Sequence, residues 1–570
     1  MVRVLPDVAA IDKEFDYLVP QAMAERVAVG TIVRIGLHGR RVGGWVVADE
    51  VTPTAGVDLK PITKVKGLGP TAEILDLARW AAWRFAGRTA TFMKTASPET
   101  AVSELPAPPH RRNPPPEATD EIAREVLDTD LAVVQTPPAT DTFPFIQAAV
   151  SRGNALLITP SLAEARRIAT RLRRAGASVA LVPRDWALAA AGATAVVGAR
   201  AAAFAPVNRL AAIVVVDEHD EALQNEGSPT WNAREVAVER ARRAGVPCVL
   251  LSPAPSLEAQ EIAPVLRRSR AEERAGWPIV EVVDRRREDP AVGGLYSRRL
   301  VEVLRSDRRV VCVLNRKGRS RLLACRTCGS LVRCDVCDSA MALVADAVLA
   351  CKRCGSERPS LCLDCGSTVL KNLRVGVTRA REELEALASE LVVEVTGSSA
   401  EVGASRIHVG TEAVLHRVEQ ADTVAFLDFD QELLAPRYRA AEQAMNLVVL
   451  AARLVGGRHS NGRILIQTRL PRHETVLGAL HADPTRVSAA ERERRRVLGY
   501  PPFATIALVG GEGGQAFVQA MRPVAGIEVS SRADGCYLLR SRDRGLLLDA
   551  LAGVPRPSGR LRLQIDPLRL

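Results

Sequence analysis

Eight of the eleven cysteines lie close together, within residues 325–365, and their spacing is suited to metal binding. They form four Cys-x-x-Cys pairs, and each such pair brings two thiolates within reach of one ion. Because four thiolates in a tetrahedron suit Zn²⁺, the four pairs predict two zinc sites. A site closed by four thiolates has no open position, so we expect structural rather than catalytic metals. The predicted ligands are Cys325, Cys328, Cys334, Cys337, Cys351, Cys354, Cys362 and Cys365.

The spacing by itself leaves other uses of these cysteines open. Disulfide bonds are one alternative, although they are rare in reducing compartments. Iron–sulfur clusters are another, because thiolates also hold iron. Spacing alone also permits three ways of combining the four pairs into two sites.

A second group of residues could act on phosphates. The apolar strand AAIVVV runs into Asp217 and Glu218, and in phosphoryl-transfer enzymes acids at a strand's end hold Mg²⁺ and position water. A phosphate-binding turn with glycines and a lysine should then follow the first strand of the sheet. The turn at residues 135–142 contains two prolines and Asp141 instead, with no glycine and no lysine. We therefore expect no ATP hydrolysis of the usual kind and leave ATP and Mg²⁺ binding open.

The elements that must position these residues divide the 570-residue chain into several domains. Short runs rich in β-branched residues predict a small β-rich domain at the start, and six prolines mark a linker after it. Apolar strands that alternate with helices then predict two parallel α/β lobes, the second interrupted by the cysteines. The predicted domains are 1–103, a linker at 104–120, lobes at 121–295 and 296–470 with an insertion at 322–370, and an α+β domain at 471–570.

Composition points to a polyanionic partner. The formal net charge is +11 and the isoelectric point about 9.3, which favours nucleic acid. Aromatic residues make up only 4% of the chain, so contacts from Arg and Lys to phosphates fit better than extensive base stacking. No apolar run has the length of a signal peptide core or a membrane span. We expect a cytoplasmic protein, because free thiolates need a reducing compartment.

The motifs together resemble the PriA family, bacterial replication-restart proteins that initiate primosome assembly. The cysteine pattern is the most specific feature, and the resemblance extends over nearly the whole chain. It also rests on Gly198-Ala199-Arg200, VVVDEHDEA, SPAPSLE at 252–258, LNRKGRS at 314–320, Gly410-Thr411, FLDFD, LGYPPF and the terminal IDP.

The resemblance implies roles for particular residues. It implies nested zinc sites, one from Cys325, Cys328, Cys362 and Cys365 and the other from Cys334, Cys337, Cys351 and Cys354. It also implies that the N-terminal domain captures the 3′ end of a nascent leading strand. Phe15, Asp16, Gly39 and Lys60 would form the pocket for that terminal nucleotide, with Asp16 accepting from the 3′ hydroxyl and Lys60 meeting a phosphate. Asp217 and Glu218 would be remnants of a nucleotide and Mg²⁺ site.

The chain also departs from the family at its helicase motifs. Residues 450–458 read LAARLVGGR where the family has Q-V-A-G-R-A-G-R. The two arginines that would stabilise phosphoryl transfer fall on Leu454 and Gly457, and Arg453 and Arg458 are each one residue out of register. The family's winged-helix domain has no room between the N-terminal domain and the first lobe. The chain therefore resembles a shortened homologue with degenerate helicase motifs.

Taken together, these features predict a multidomain α/β protein with a small β-rich N-terminal DNA-binding domain. Two helicase-like parallel α/β lobes follow, with a double-zinc insertion in the second lobe and an α+β C-terminal domain. We expect it to bind stalled or abandoned forks, to promote primosome assembly and to help reload the replicative helicase, without helicase activity of its own. The alternatives are an ATP-dependent 3′-to-5′ DNA helicase with a non-standard nucleotide site and a zinc-dependent interaction protein without DNA function. Expected partners are forked DNA with a leading-strand 3′ end, primosome proteins, the replicative helicase or its loader, and single-stranded DNA-binding protein; no membrane is involved.

Overall fold

The structure, a computed structural model, covers most of the chain. Residues 315–320 of the LNRKGRS motif and residues 110–119 of the proline-rich linker lie outside the described set. The described residues are 1–8, 11–52, 59–109, 120–288, 295–314, 322–345, 347–372, 377–397, 399, 403–532 and 534–570.

The N-terminal domain is a curled antiparallel sheet followed by two helices. In the strand β3 (Ile32–Leu37) the buried Val33 and Ile35 flank the exposed Arg34, which is the alternation of a sheet with one buried face. The strand order is β2-β1-β4-β3-β5, and a bridge between Leu18 and Pro61 joins its two edges. The elements are β1 (Val2–Pro6), β2 (Phe15–Tyr17), β3 (Ile32–Leu37), β4 (Arg40–Asp49), β5 (Lys64–Gly67), α1 (Ala72–Arg84) and α2 (Thr89–Ala96).

The N-terminal domain is packed against the rest of the chain through its helices. Phe92 of α2 lies against Phe204 and Trp231 of the first lobe, with ring centroids 5.5 and 6.3 Å away. The buried Arg84 of α1 forms ion pairs with Glu235 at 2.7 Å and with Asp566 near the C terminus at 3.1 Å. The domain is therefore held by packing as well as by the linker.

The first lobe is a seven-stranded parallel sheet with buried apolar clusters on both faces. Its order, β12-β6-β11-β10-β7-β9-β8, places the ends of β6, β10 and β11 together at one edge. The strands are β6 (Leu131–Gln135), β7 (Asn154–Ile158), β8 (Val179–Leu181), β9 (Ala195–Gly198), β10 (Leu210–Val216), β11 (Cys248–Ser252) and β12 (Val265–Arg267). The helices are α3 (Glu121–Glu125), α4 (Phe143–Arg152), α5 (Leu162–Arg174), α6 (Trp186–Ala191), α7 (Ala233–Ala244), α8 (Leu257–Gln260) and α9 (Arg270–Ala275).

The second lobe is a six-stranded parallel sheet in the order β13-β23-β22-β14-β21-β20. Its strands are β13 (Ile279–Asp284), β14 (Val310–Val313), β20 (Val392–Val395), β21 (Ile407–Gly410), β22 (Thr423–Phe426) and β23 (Arg463–Thr468). Its helices are α10 (Arg298–Leu304), α11 (Val377–Ala388), α12 (Ala413–Arg417), α13 (Asp430–Leu433), α14 (Ala440–Val455), α15 (Glu474–His481) and α16 (Thr485–Leu498).

The change from the first sheet to the second occurs earlier than the predicted division at residues 295 and 296. Strand β13 lies within the residues predicted for the first lobe, but it pairs with β23 from Ile279 to Asp284. At the other end, α15 and α16 pack against α14 in the core of the second lobe, although they lie within the predicted domain at 471–570. Strand β13 and the helices α15 and α16 therefore belong to the second lobe because of hydrogen bonding and packing with segments distant in the chain, which the local sequence does not reveal.

The cysteine insertion follows β14 and is built from short antiparallel strands. They are β15 (Leu323–Cys325), β16 (Met341–Ala345), β17 (Val348–Cys351), β18 (Glu357–Pro359) and β19 (Leu370–Asn372). A hydrogen bond of 3.0 Å from the amide of Ala340 to the carbonyl of Leu434 attaches the insertion to the second lobe.

The C-terminal part forms a four-stranded antiparallel sheet in the order β25-β26-β24-β27. It consists of β24 (Thr505–Gly510), α17 (Gly514–Ala520), β25 (Glu528–Ser531), β26 (Tyr537–Ser541), α18 (Arg544–Ala552) and β27 (Arg562–Ile565). The predicted fold class, including two parallel α/β lobes and a mixed C-terminal domain, is confirmed. Among the described residues, no helix combines the length and apolar character that crossing a bilayer requires.

Candidate metal centres, DNA pocket and motor cleft

The eight clustered cysteines form two groups of four thiols. One group contains Cys325, Cys328, Cys362 and Cys365, and the other contains Cys334, Cys337, Cys351 and Cys354. Within each group all sulfur atoms lie within 4.8 Å of one another. The hydrogen-bonded sulfur pairs are 3.5 to 3.6 Å apart. This is the nested grouping that the resemblance implies.

The sulfur spacing fits one ion in each group. A tetrahedron with Zn–S bonds of about 2.3 Å has edges of about 3.8 Å. In an iron–sulfur cluster the thiolates ligate different iron atoms, which spreads them farther apart. All eleven cysteines are free thiols, so none of them is in a disulfide. The two groups can therefore hold metal ions, and zinc agrees best with their donor atoms and spacing.

Four copies of one turn build these groups. Each turn reads C-x-x-C-[GD]-S, and the residue after the second cysteine has a positive φ, from 62° at Asp338 to 79° at Gly355. Glycine adopts this backbone without strain, and aspartate tolerates it. In every copy the amide of the first cysteine donates to the serine carbonyl at 2.8 Å. This repeat was missed in the sequence, where the residues after each pair would have revealed it.

The N-terminal domain brings part of the predicted DNA pocket together. Phe15 and Asp16 lie on the edge strand β2, and the amide of Leu18 donates to the carbonyl of Lys60 at 3.0 Å. Gly39 lies in the turn between β3 and β4 with φ of 77° and open space beside its Cα. The Tyr17 hydroxyl links β2 to β3 by donating to the Gly36 carbonyl at 3.0 Å. The roles of these residues in DNA binding remain predictions.

Asp16 has a partner that sequence reasoning missed. The Arg3 guanidinium donates to both carboxylate oxygens of Asp16, at 2.8 and 3.3 Å. The two residues are cross-strand neighbours in β1 and β2, and a two-point pair of this kind holds a carboxylate in a defined orientation. Arg3 therefore positions the carboxylate that is predicted to meet the 3′ hydroxyl.

In the turn after β6, a carboxylate lies where a motor protein would bind phosphate. Asp141 accepts a hydrogen bond from the amide of Phe143 at 3.1 Å, at the start of α4. The Arg171 guanidinium donates to both Asp141 oxygens at 2.8 and 2.7 Å. Hydrogen bonding from Arg171 lowers the pKa of Asp141, against the opposing effect of partial burial. A helix N-terminus attracts anions, and here a permanent anion of the protein itself occupies that position.

The two acids after β10 also have protein partners. Arg453 of α14 donates to both oxygens of Asp217 at 2.6 and 2.5 Å, which joins the second lobe to the first. Burial would raise the pKa of Asp217, but the charge of Arg453 outweighs it and lowers that pKa. Glu218 is fully buried and accepts from the Ser256 amide at 2.7 Å and from Arg234 at 3.0 Å. Both carboxylates are thus engaged in ion pairs within the protein.

A buried ionic cluster forms a second connection between the lobes. At its centre Arg495 of α16, fully buried, lies 3.0 Å from Glu491 and 3.5 Å from Glu258 of the first lobe and also contacts Glu442. Arg439 forms an ion pair with Glu258 at 2.5 Å. We call these five residues the interlobe cluster.

The cysteine insertion is attached to the interlobe cluster through Arg353, which lies between Cys351 and Cys354. Its guanidinium donates to the carbonyl of Tyr438 at 3.1 Å and lies 4.0 Å from Glu491. Tyr500 donates its hydroxyl to the Arg353 carbonyl at 3.0 Å and stacks on Tyr438 with ring centroids 5.3 Å apart. The two lobes and the insertion are therefore joined by one continuous set of polar contacts.

Comparison with families and characterised proteins gives a consistent result. A family model of the PriA 3′ DNA-binding domain (3′BD) matches residues 3–98. The replication restart protein PriA of Bacillus subtilis is 29% identical over 55% of this chain and 43% of its own length, and that of Thermotoga maritima is 30% identical over 56% and 46%. The chain thus spans about half the length of these relatives. A probable PriA from Mycobacterium leprae is 28% identical over 98% of this chain and 99% of its own length.

Solved structures give weaker similarity. Dbp5 of S. cerevisiae, bound to RNA and ADP BeF3, covers 65% of this chain and 89% of its own, with 12% identity and a TM-score of 0.33. A DEAD box protein from Methanococcus jannaschii has 11% identity and a TM-score of 0.31. At these scores the strand order above, rather than the similarity, defines the fold.

Proposed function

We infer that this chain is a replication restart protein of the PriA type, because residues 3–98 match the PriA 3′ DNA-binding domain and PriA proteins are 28–29% identical to the chain over 55–98% of its length. We propose that it binds stalled or abandoned replication forks in the cytoplasm and promotes primosome assembly and reloading of the replicative helicase. In this proposal it acts as a DNA-binding platform without helicase activity of its own. Its partners would be forked DNA with a leading-strand 3′ end, primosome proteins, the helicase or its loader, and single-stranded DNA-binding protein.

The observation that carries this proposal is that Asp141, Asp217 and Glu218, which lie where a helicase would bind nucleotide and Mg²⁺, are already paired with arginines of the chain. Catalysis of phosphoryl transfer needs cations and amides that face the phosphates and free acids that hold Mg²⁺. Here Asp141 fills the helix N-terminus and Asp217 is neutralised by Arg453. The N-terminal domain, in contrast, matches its family over nearly its whole length. Two structural zinc ions would keep the insertion folded, which a platform needs as much as a motor does.

The first prediction concerns the 3′ end of the leading strand. A fork whose nascent strand ends in a 3′ phosphate at the junction should bind about 10- to 100-fold more weakly than one ending in a hydroxyl. The hydroxyl would donate to the Asp16 carboxylate, and a charged hydrogen bond of this kind contributes about 1.5–3 kcal/mol. The phosphate would instead bring negative charge against that carboxylate. Fluorescence anisotropy at fixed salt measures both affinities.

Variants of the same domain provide the controls for this experiment. Asp16→Asn should remove the discrimination between the two forks, whereas Asp49→Asn, an exposed aspartate of β4, should leave it unchanged. Arg3→Met keeps the carboxylate but removes its ion pair, so it should reduce the discrimination only in part. Equal binding of both forks by the unmodified protein would contradict the 3′-end pocket.

The second prediction decides between a platform and the alternative, an ATP-dependent helicase with a non-standard nucleotide site. We expect DNA-stimulated phosphate release at the level of the buffer blank and no unwinding of a labelled fork. The reason is that Asp141, Asp217 and Glu218 are already paired with arginines of the protein. ATP hydrolysis that disappears in Asp217→Ala would overturn the platform proposal. Hydrolysis that persists in that variant would identify a contaminating enzyme.

A further inference from the structure

One face of α14 lies along the first lobe for most of the helix. Its polar contacts begin at the residue before the helix and recur at helical spacing, so they form a single stripe about 21 Å long. We call it the interlobe stripe. Its contacts are Arg439 with Glu258, Glu442 with the Leu257 amide, Gln443 with Glu221, Asn446 with the His219 carbonyl, and Arg453 with Asp217.

The lobes also meet at Gly457, where the family has an arginine. A Cβ atom at Gly457 would lie 2.7 Å from the Ala275 carbonyl oxygen and 3.3 Å from the Cβ of Ala139, and both of these residues belong to the first lobe. The backbone angles of Gly457, φ −73° and ψ −175°, are open to any residue, so close packing rather than the backbone requires glycine here. Ala139 lies in the turn after β6, where a motor protein would bind phosphate. The second lobe therefore rests directly on that turn.

In a motor protein with two lobes, the nucleotide joins them. Acids of one lobe and arginines of the other meet on its phosphates, and the lobes close when it binds. A ligand can shift such an equilibrium only by its difference in affinity for the open and closed states. Here Arg453 reaches Asp217 directly, at 2.6 and 2.5 Å. The contacts that hold the lobes together are thus contacts within the protein.

A hollow of about 850 Å³ remains beside the contact at Gly457. Its lining includes the carboxylates of Asp120, Asp141 and Glu272, which pair with Arg268 and Arg171. A nucleotide in this hollow would bring its phosphates against carboxylates, and the lobes on either side of it already touch. Its binding would therefore favour no further closure.

We propose that the two lobes form a permanently closed unit, held by the interlobe stripe and by the contact at Gly457 in place of a nucleotide. Nucleotides then change neither the arrangement of the lobes nor the affinity for DNA. The effect on DNA affinity rests on the proposed fork binding, whereas the arrangement of the lobes does not.

Hydrogen exchange and small-angle X-ray scattering of the full-length protein test the closed unit. Amide exchange in α14 and at residues 217–223 should be the same without nucleotide, with Mg·ADP and with the Mg²⁺ complex of a non-hydrolysable ATP analogue. The radius of gyration should also stay the same, and fork affinity should change by less than about twofold. Slower exchange and compaction on adding either nucleotide, or a larger change in fork affinity, would overturn the proposal.

Variants that break these contacts should open the lobes. Gly457→Ala places a methyl group against the Ala275 carbonyl, and Arg453→Met leaves the buried Asp217 without its partner. Each should speed exchange in α14 at least about tenfold and raise the radius of gyration. Adding Asp217→Asn to Arg453→Met should reduce the effect, because no buried charge is then left unpaired. A variant that had only misfolded would not be restored in this way.

Two substitutions in the second lobe are matched controls. Arg458→Met replaces an exposed arginine next to Gly457, and Gly397→Ala adds a methyl group where nothing lies within 4 Å. Neither should change exchange or scattering. Unchanged exchange in both Gly457→Ala and Arg453→Met would contradict the closed unit. Failure of the unmodified protein to bind forks would remove the platform function, and the exchange and scattering results would still decide whether the lobes stay closed.

Discussion

Replacing Cys351 by serine should release one zinc ion per chain and unfold the insertion at residues 322–370. Cys351 is buried, and its group of four thiols lies in a small core that contains only a few apolar side chains, among them Met341 and Leu349. A core of this size does not stabilise a fold without metal. Binding of a structural zinc ion contributes an apparent free energy of about 10–16 kcal/mol, which here would be folding free energy. Elemental analysis and hydrogen exchange of the insertion measure the two effects.

Other cysteines provide the comparison for this experiment. Cys536→Ser removes a half-buried thiol that belongs to neither group, so both ions and the insertion should be retained.

Removal of the two metal ions by a chelator should proceed in two phases. Cys328 and Cys365 are exposed, whereas three of the four cysteines in the other group are buried, so the first group should lose its ion faster. Iron in place of zinc, or an insertion that stays folded in Cys351→Ser, would contradict the structural zinc sites.

Replacing Arg495 by methionine should lower the free energy of unfolding by about 3–5 kcal/mol. The substitution leaves the fully buried Glu491 and the neighbouring Glu442 and Glu258 without their central cation. Removing this shared guanidinium is costly, because the buried carboxylates are not solvated and Glu442 loses the arginine that it contacts, although Glu258 keeps its pair with Arg439. We expect the two lobes to separate more readily, which limited proteolysis between them and denaturant unfolding would both detect.

The effect of Arg495→Met should depend on pH. Burial would raise the pKa of Glu258, but Arg439 and Arg495 outweigh it and hold that pKa below its ordinary value. The stability that this carboxylate contributes is therefore present above its unfolded pKa and is lost as the pH falls through the lowered value. The difference between wild type and Arg495→Met should accordingly be large near neutral pH and shrink in acid.

The neighbouring arginine is a matched control for this substitution. Arg496 is 58% exposed and lies 3.8 Å from Glu493, so Arg496→Met should change stability by less than about 0.5 kcal/mol. Arg495→Lys should lower the free energy of unfolding by less than Arg495→Met and by more than Arg496→Met, because an ammonium keeps the charge but lacks the forked donors of a guanidinium. A loss no larger in Arg495→Met than in Arg496→Met would show that the interlobe cluster does not hold the lobes together.

Local patterns in the sequence were sufficient to predict the metal-binding capacity of the cysteines and the fold class. A Cys-x-x-Cys pair holds its two ligands within four residues, so the capacity for metal can be read without knowing the fold. The same holds for the alternation of strands and helices, because each element's periodicity lies within its own residues. The absence of a phosphate-binding turn was equally visible, since it depends only on residues 135–142.

The partners of the charged residues, in contrast, were decided by the tertiary structure. From the sequence, Arg453 lies one residue away from the position of a catalytic arginine in the family. Packing of α14 brings its guanidinium against the carboxylate of Asp217. Arg495 was only one of several arginines in a basic run until α16 packed between the lobes. The energy of an ion pair depends on the distance between side chains and on their burial, and neither follows from separation along the chain. The sequence by itself thus determined that the cysteines could hold metal and that two lobes would form, and only the tertiary structure decided that Asp141 and Asp217 would pair with Arg171 and Arg453 of the same chain.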